Sequence, residues 1–585
     1  MKKLITLLLA ALLVLTTFSG CKKKSQDDPE IPDTPTELSE TQKAFNELQR
    51  KWFVEDNEDY VTVHYNLVNP EAYGIKDLEV TWGELDTEED DEATIKARLE
   101  ELHKFKAEEL TVDQQNLYAA LEWYYDLMLK DLAIEQDYTF LFTPNSGLNN
   151  NLITNLTEFV LRNEQDVKDF IVLLADTDRV IDEAIKMTKE QAEKGIIQPD
   201  VVIDNVIDNC QKFVDSGSGN EISKIAAASI DALNLADGES YKSQVSKIVL
   251  EEIIPAYQRI IDMYKGLRGK ATKSGLMADW GEEGKAAYEL IVKSKTSCDE
   301  GVADLIEEMD NALWDALYGL FGVMDKVNDI PSYGFEDPYR ILENNKTHMK
   351  GSFPDIPDVK YTVSYLDPSI TSENVSAYYV LSPLDDLMQN VIKVNPSFVE
   401  NDPDGICITL AHEGYPGHLF QHTYFYENHE NQELRSSLDF LGYAEGWAQY
   451  VETLAYGFYD GNKNVCLYEQ YNNMFSYYLY GLIDLEMHYM GWGVDDIATY
   501  LSAFINPEYV NEYAASLYES NLGDPGMFLP YSVGLYKMWS MYEETRDTLG
   551  KKFDLAAYNK VILDTGDCPF SHLYKRVQEY VAKAK

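Results

Sequence analysis

The sequence predicts a mainly helical protein carrying one small β-sheet. Three observations point there. Apolar residues recur every three or four positions along most of the 585 residues. Only two short segments, near residues 360 and 378, alternate in the manner of strands. No fixed-period repeat divides the chain, which disfavours a solenoid.

The N-terminus is organised differently from the rest. Lys2 and Lys3 precede a largely apolar run from Leu4 to Phe18, too short for an ordinary membrane span. Ser19-Gly20-Cys21 follows and resembles a bacterial lipobox, although Phe18 stands where Leu is usual. This predicts a signal peptide over residues 1–20 and lipid attachment at Cys21, with a plain secretory signal as the alternative. A diacylated cysteine carries enough chain length for stable membrane anchoring. Residues 21–38 are charged and proline-rich with no apolar face, and read as a flexible tether. Residues 39–330 form a helical N-terminal part. Residues 331–585 carry the histidine-rich motif, and the two parts read as one continuous domain.

Ser39 opens the first helix, with Phe45, Leu48, Trp52 and Phe53 at near-helical spacing. Further helices are predicted over 222–235, 241–267 and 305–327, and Pro255 should kink the second of these. The segments VKYTVSY (359–365) and VSAYYVL (375–381) flank turn-rich LDPSITSEN, which predicts a short hairpin or small sheet. Helical patterning resumes after residue 400 and is interrupted by a loop over 523–530.

Lys and Arg number 49 against 101 Asp and Glu, a net charge of −52. Nucleic acid is therefore excluded as a partner, because phosphate contacts need basic patches. Docking of the folded body on an anionic membrane is disfavoured for the same reason. The six cysteines show no C-x-x-C spacing, which argues against a disulfide framework or a cysteine zinc site. With Cys21 lipidated, five remain, so at least one is a free thiol.

Four of the nine histidines, His412, His418, His422 and His429, fall within 18 residues. Clustered histidine points to a metal. His412-Glu413 resembles the start of H-E-x-x-H, in which two histidines one turn apart share a helix face and the glutamate faces metal-bound water. Here position i+4 is Pro416, and the next histidine is His418 at i+6. On a continuous helix those two residues diverge by about 240°. They can meet only if Pro416-Gly417 breaks the helix. His422 is the fallback second ligand, and His429-Glu430 reads as a solvated face. Catalytic zinc keeps three protein ligands and one open position. Glu445, 27 residues after His418, is the candidate third ligand, with Glu452 seven residues further on the same helix face as a supporting group.

The joint pattern of His412-Glu413-x-x-Pro416-Gly417-His418, Gln421 and Glu445-Gly446-Trp447-Ala448 resembles the bacterial domain-of-unknown-function 885 family, which is grouped with gluzincin-type zinc metallopeptidases. Asp484, His488 and Gly491-Trp492, then Pro525-Gly526 and Tyr531-x-x-Gly534, resemble further family segments, as does the stretch 284–295. The resemblance is strongest over 405–540. The chain departs from the family pattern at Leu419, Tyr480 and Met527, positions that bear on substrate contacts.

The resemblance implies a large helical zincin-like (gluzincin) fold with the small sheet beside the active-site helix. It implies Zn²⁺ held by His412, His418 and Glu445. Glu413 would be the general base, with His488 and Tyr531 as candidate donors to the oxyanion. The implied activity is hydrolysis of short peptides by an extracytoplasmic enzyme anchored to the membrane through Cys21. The residues leave two other readings open: a non-catalytic peptide-binding or surface lipoprotein, and a metal-dependent hydrolase of another amide or an ester.

Overall fold

The computed structural model describes residues 37–85, 91–134, 136–366, 375–459 and 461–585. The signal peptide, Cys21 and nearly all of the tether lie outside the described residues. Helices dominate and strands are few, as the periodicity predicts. The first helix, Glu40–Asp56, begins with a reciprocal cap. The Ser39 hydroxyl accepts from Gln42 N while the Gln42 side chain accepts from Ser39 N. Phe45, Trp52 and Phe53 form its buried face.

The segment predicted as one helix over 241–267 is two helices, Gly238–Ile248 and Ile254–Leu267, joined by a π turn at Val249–Ile253. Pro255 lacks the N–H that a regular helix would use, and the wider turn just before it absorbs that loss.

The sheet contains three strands: β1 (Tyr361–Tyr365), β2 (Ala377–Val380) and β3 (Asn390–Val394). Their order is β1-β3-β2, with β1 parallel and β2 antiparallel to β3. Of the two sequence expectations, the small sheet is present and the hairpin is not, because β3 separates the two predicted strands. The sequence of β3, NVIKV, is covered on both faces and does not alternate in polarity, so it lacks the pattern that identifies a half-exposed strand.

The sheet stands between two hydrophobic cores. Tyr379, Ile392 and Val394 face a core shared with Phe45, Trp52 and Trp447. Val380 and Val391 face a second core built from helices between residues 61 and 264. Successive residues change face, as the pleat requires. On the second face Lys393 pairs with Glu158 at 3.1 Å, and Tyr378 donates to the same carboxylate at 2.8 Å. A separate tie between distant segments is made by Asp524, which is 6% exposed. Its carboxylate accepts from the hydroxyls of Thr143 and Ser146 and from both the backbone and side-chain nitrogens of Asn145.

Cys210, Cys298, Cys407 and Cys568 are buried free thiols. Among the described residues no helix is long and apolar enough to cross a membrane.

Replacing Asp524 with alanine leaves the buried Thr143 hydroxyl and the partly buried donors of Asn145 and Ser146 without their acceptor. The expected loss is about 3 kcal/mol, read as a lower midpoint of urea unfolding, whereas removing the exposed Asp547 carboxylate should leave the midpoint unchanged.

Candidate metal centre

The helix Pro403–Glu413 carries Ile406, Cys407, Leu410 and Ala411 into the core and ends on His412 and Glu413. A new helix, His418–Asn428, begins after a connection of residues 414–417. The connection is compact. Gly417 lies so close to the end of the first helix that a Cβ there would sit 1.6 Å from the His412 carbonyl oxygen and 2.6 Å from that of Ala411. Trp447, fully buried, donates its indole N–H to Pro416 O at 3.1 Å and fastens the connection to the helix Leu441–Tyr459. This break places His418 beside His412, with ring centroids 4.8 Å apart and planes at 82°.

The helix Leu441–Tyr459 supplies Glu445. Its Oε2 lies 3.3 Å from His412 Nε2 and 3.3 Å from His418 Nε2. One ligand atom from each of His412, His418 and Glu445 lies within 4.8 Å of the others. Two ligands bound about 2.05 Å from a tetrahedral ion are separated by about 3.3 Å, so both contacts to Glu445 match the spacing for zinc. Glu445 Oε2 is also buried without a hydrogen-bond partner. An acceptor in that position is costly unless something positive engages it. The donor set therefore fits a zinc ion.

Supporting groups surround the three ligands. Glu452 Oε2 lies 2.9 Å from His412 Nδ1, so Nδ1–H donates to the carboxylate and Nε2 is directed at the cluster. Gln421 Oε1 lies 3.4 Å from His418 Nδ1 and orients the second ring in the same way. The electrostatics are strongly coupled. Burial opposes charge on His412, but the carboxylates of Glu445 and Glu452 outweigh it and hold the imidazole well above its ordinary pKa. Burial likewise works to raise Glu445, yet the facing His418 and His412 hold it well below the carboxylate range. The carboxylates of Glu445 and Glu452 thus both face the pair of rings, an environment suited to a divalent cation.

Glu413 adjoins this cluster. Its Oε2 accepts from Tyr379 N in β2 at 2.8 Å, and its Oε1 lies 3.9 Å from His412 Nε2. Burial raises its pKa. Tyr531 stacks over His412 with centroids 6.4 Å apart. The negative charge of Glu445, followed by burial, keeps its hydroxyl protonated. Tyr531 reaches this place because helix Leu529–Leu549 crosses the Glu445 helix with no side chain between them. A Cβ on Gly534 would meet Gly446 Cα at 2.8 Å, and one on Gly446 would meet Gly534 O at 2.8 Å.

The remaining sequence candidates lie elsewhere. His488 is fully buried in a π turn, Glu486–Met490. Its Nε2 donates to Asn521 O at 3.0 Å and its Nδ1 accepts from Met277 N at 3.4 Å. Burial pushes its pKa down to about 4. Both ring nitrogens are committed to backbone, so His488 is a packing residue and leaves the set of oxyanion donors. Nearby Asp484 accepts from the Tyr288 hydroxyl and from Gly526 N, which makes the second family-like segment a brace for the 523–528 loop. His422, the fallback ligand, donates to Ser382 O at 3.0 Å and is pushed by burial down to about 4. His429 does not lie on a solvated face. It is held between Asp113, 3.2 Å from Nδ1, and Asp564, 3.6 Å from Nε2. Sequence reasoning missed Gln449, whose Nε2 lies 3.1 Å from Glu452 Oε2, and the Tyr379 amide. Only Gln449 carried a signal, standing at i+4 from Glu445 and thus on the ligand face of the helix.

The sequence matches, over residues 71–313 and 331–577, a family described as bacterial protein of unknown function (DUF885). No curated protein matches the chain. Two solved structures share the fold. A candidate lipoprotein from Colwellia psychrerythraea is 17% identical with a TM-score of 0.77, covering 93% of this chain and 100% of its own. A candidate lipoprotein of unknown function from Shewanella oneidensis is 15% identical with a TM-score of 0.59, covering 91% of this chain and 99% of its own.

Substituting Gly417 with alanine should force the two helix ends apart. The expected result is a loss of zinc affinity of about tenfold or more in chelator competition. Gly322→Ala, where a Cβ meets nothing within 4 Å, should bind zinc as the parent does.

Proposed function

This chain belongs to the DUF885 family, and we propose that it is a zinc-dependent peptidase of gluzincin type, anchored outside the cytoplasm by lipid at Cys21 and acting on short peptides. The observation that carries the reading is the convergence of His412 Nε2 and His418 Nε2 on the orphaned Glu445 Oε2, with the Glu413 carboxylate beside them.

His412, His418 and Glu445 would hold the ion, leaving a fourth position open to water and substrate. Bound zinc supplies Lewis acidity, acidifying a water and polarising the scissile carbonyl. The residues of the chain do the rest. Tyr379 N–H occupies Glu413 Oε2 and leaves Oε1, the oxygen nearer His412, to take the proton from water and pass it to the leaving amine. The raised pKa of Glu413 suits a group that must bind a proton and then release it. The protonated Tyr531 hydroxyl is the donor for the oxyanion that develops at the substrate carbonyl. The anchoring part of the proposal rests on the lipobox-like Cys21. It is supported by the two structural relatives, each a candidate lipoprotein.

The direct test uses the soluble form lacking residues 1–21 and a mixed peptide library. Wild type should carry one zinc per chain and cleave, and Glu413→Gln should keep the zinc and lose cleavage. Zinc without cleavage in the wild type would redirect the search to another amide or an ester. Absence of zinc binding would end the metal reading. Tyr531→Phe should retain zinc while kcat falls by about 10²-fold with a much smaller change in KM, as expected when one oxyanion donor is removed.

A further inference from the structure

We propose that Gln449 is a positioning residue of the metal centre, acting through Glu452 on His412. The inference rests on the metal-centre reading and concerns how that centre is held.

Glu445, Gln449 and Glu452 stand at positions i, i+4 and i+7 of the helix Leu441–Tyr459 and so share one face. A single rigid element therefore presents a ligand, an amide and a carboxylate to the same histidine. Gln449 Nε2 lies 3.1 Å from Glu452 Oε2, the oxygen that accepts His412 Nδ1–H at 2.9 Å. Gln449 Nε2 is also 3.3 Å from His412 Nδ1 itself. Nδ1 carries the proton of the shorter bond, so the amide donates to the carboxylate. The opposite amide orientation would set Oε1 against an anionic oxygen, and the chemistry rejects it.

Gln449 is 1% exposed, and its Oε1 is buried without a hydrogen-bond partner. An apolar side chain would fill that space without leaving an acceptor unmatched. A glutamine there is stabilising only through what its nitrogen does, and its nitrogen holds Glu452. With two donors converging on one oxygen, the carboxylate is fixed in rotamer. It then fixes the tautomer and the plane of His412, keeping the Nε2 lone pair aimed at the ion position.

The test is a double-mutant cycle on zinc affinity, by chelator competition, with Gln449→Leu, Glu452→Gln and both together. Gln449→Met, with a similar arm length and no donor, stands in if the leucine variant folds poorly. The expected result is a loss of about tenfold for Gln449→Leu in the parent and no added loss in the Glu452→Gln background. Unchanged affinity, or losses that simply multiply, would overturn the proposal and leave the zinc reading intact. A second readout needs no metal: the slowly exchanging imidazole N–H resonance that Glu452→Gln abolishes. If the parent binds no zinc, the metal reading fails, and this resonance decides the positioning role. Its shift or loss in Gln449→Leu upholds the role, and an unchanged resonance refutes it.

Discussion

The centre depends on a contact between two pieces of backbone. Gly417 rests against the carbonyl of His412 at a distance that no side chain permits. That contact ends one helix and starts another within four residues, turning an i+6 spacing into a pair of adjacent rings. A regular helix would carry the two histidines to different faces. The Trp447 indole then fixes the turn to the helix that bears Glu445, so Glu445 and the break are set by the same element.

The helix Leu441–Tyr459 is the organising element of the site. One side presents Glu445, Gln449 and Glu452 to the two histidines. Another side meets helix Leu529–Leu549 at Gly446 and Gly534, and this close crossing brings Tyr531 over His412. The sheet contributes from a third direction, since the Tyr379 amide of β2 fixes one oxygen of Glu413. Because β2 is an edge strand, that amide has no sheet partner on its outer side and is free to take a carboxylate.

Two histidines outside the centre show what burial does to the same side chain without a facing carboxylate. His422 and His488 each donate to a backbone carbonyl and are pushed down to about 4, so they stay neutral. His412 and His418 are also enclosed, yet facing carboxylates raise both. Facing carboxylates, and not burial, decide the sign of the shift, as they also do at His429 between Asp113 and Asp564. Asp484 likewise resembles a site residue in sequence but serves as a buried acceptor for Tyr288 and Gly526.

The sequence by itself determined the helical class, the presence of a small sheet and the identity of the three residues that converge. Periodicity, β-branched alternation and the joint histidine-glutamate motif are local properties, and local properties survive in a one-dimensional string. The central strand β3 was not legible, because a strand covered on both faces has no polar alternation. The separation of His488 and His422 from the centre was not legible either, because a histidine's role depends on which carbonyl or carboxylate faces it across the fold. The Tyr379 amide was invisible for the same reason, whereas Gln449 showed only its i+4 spacing from Glu445. Only the tertiary structure decided that Gly417 can touch His412, and that Gly446 can touch Gly534. Close backbone approach is a property of two segments at once, and neither segment alone encodes it.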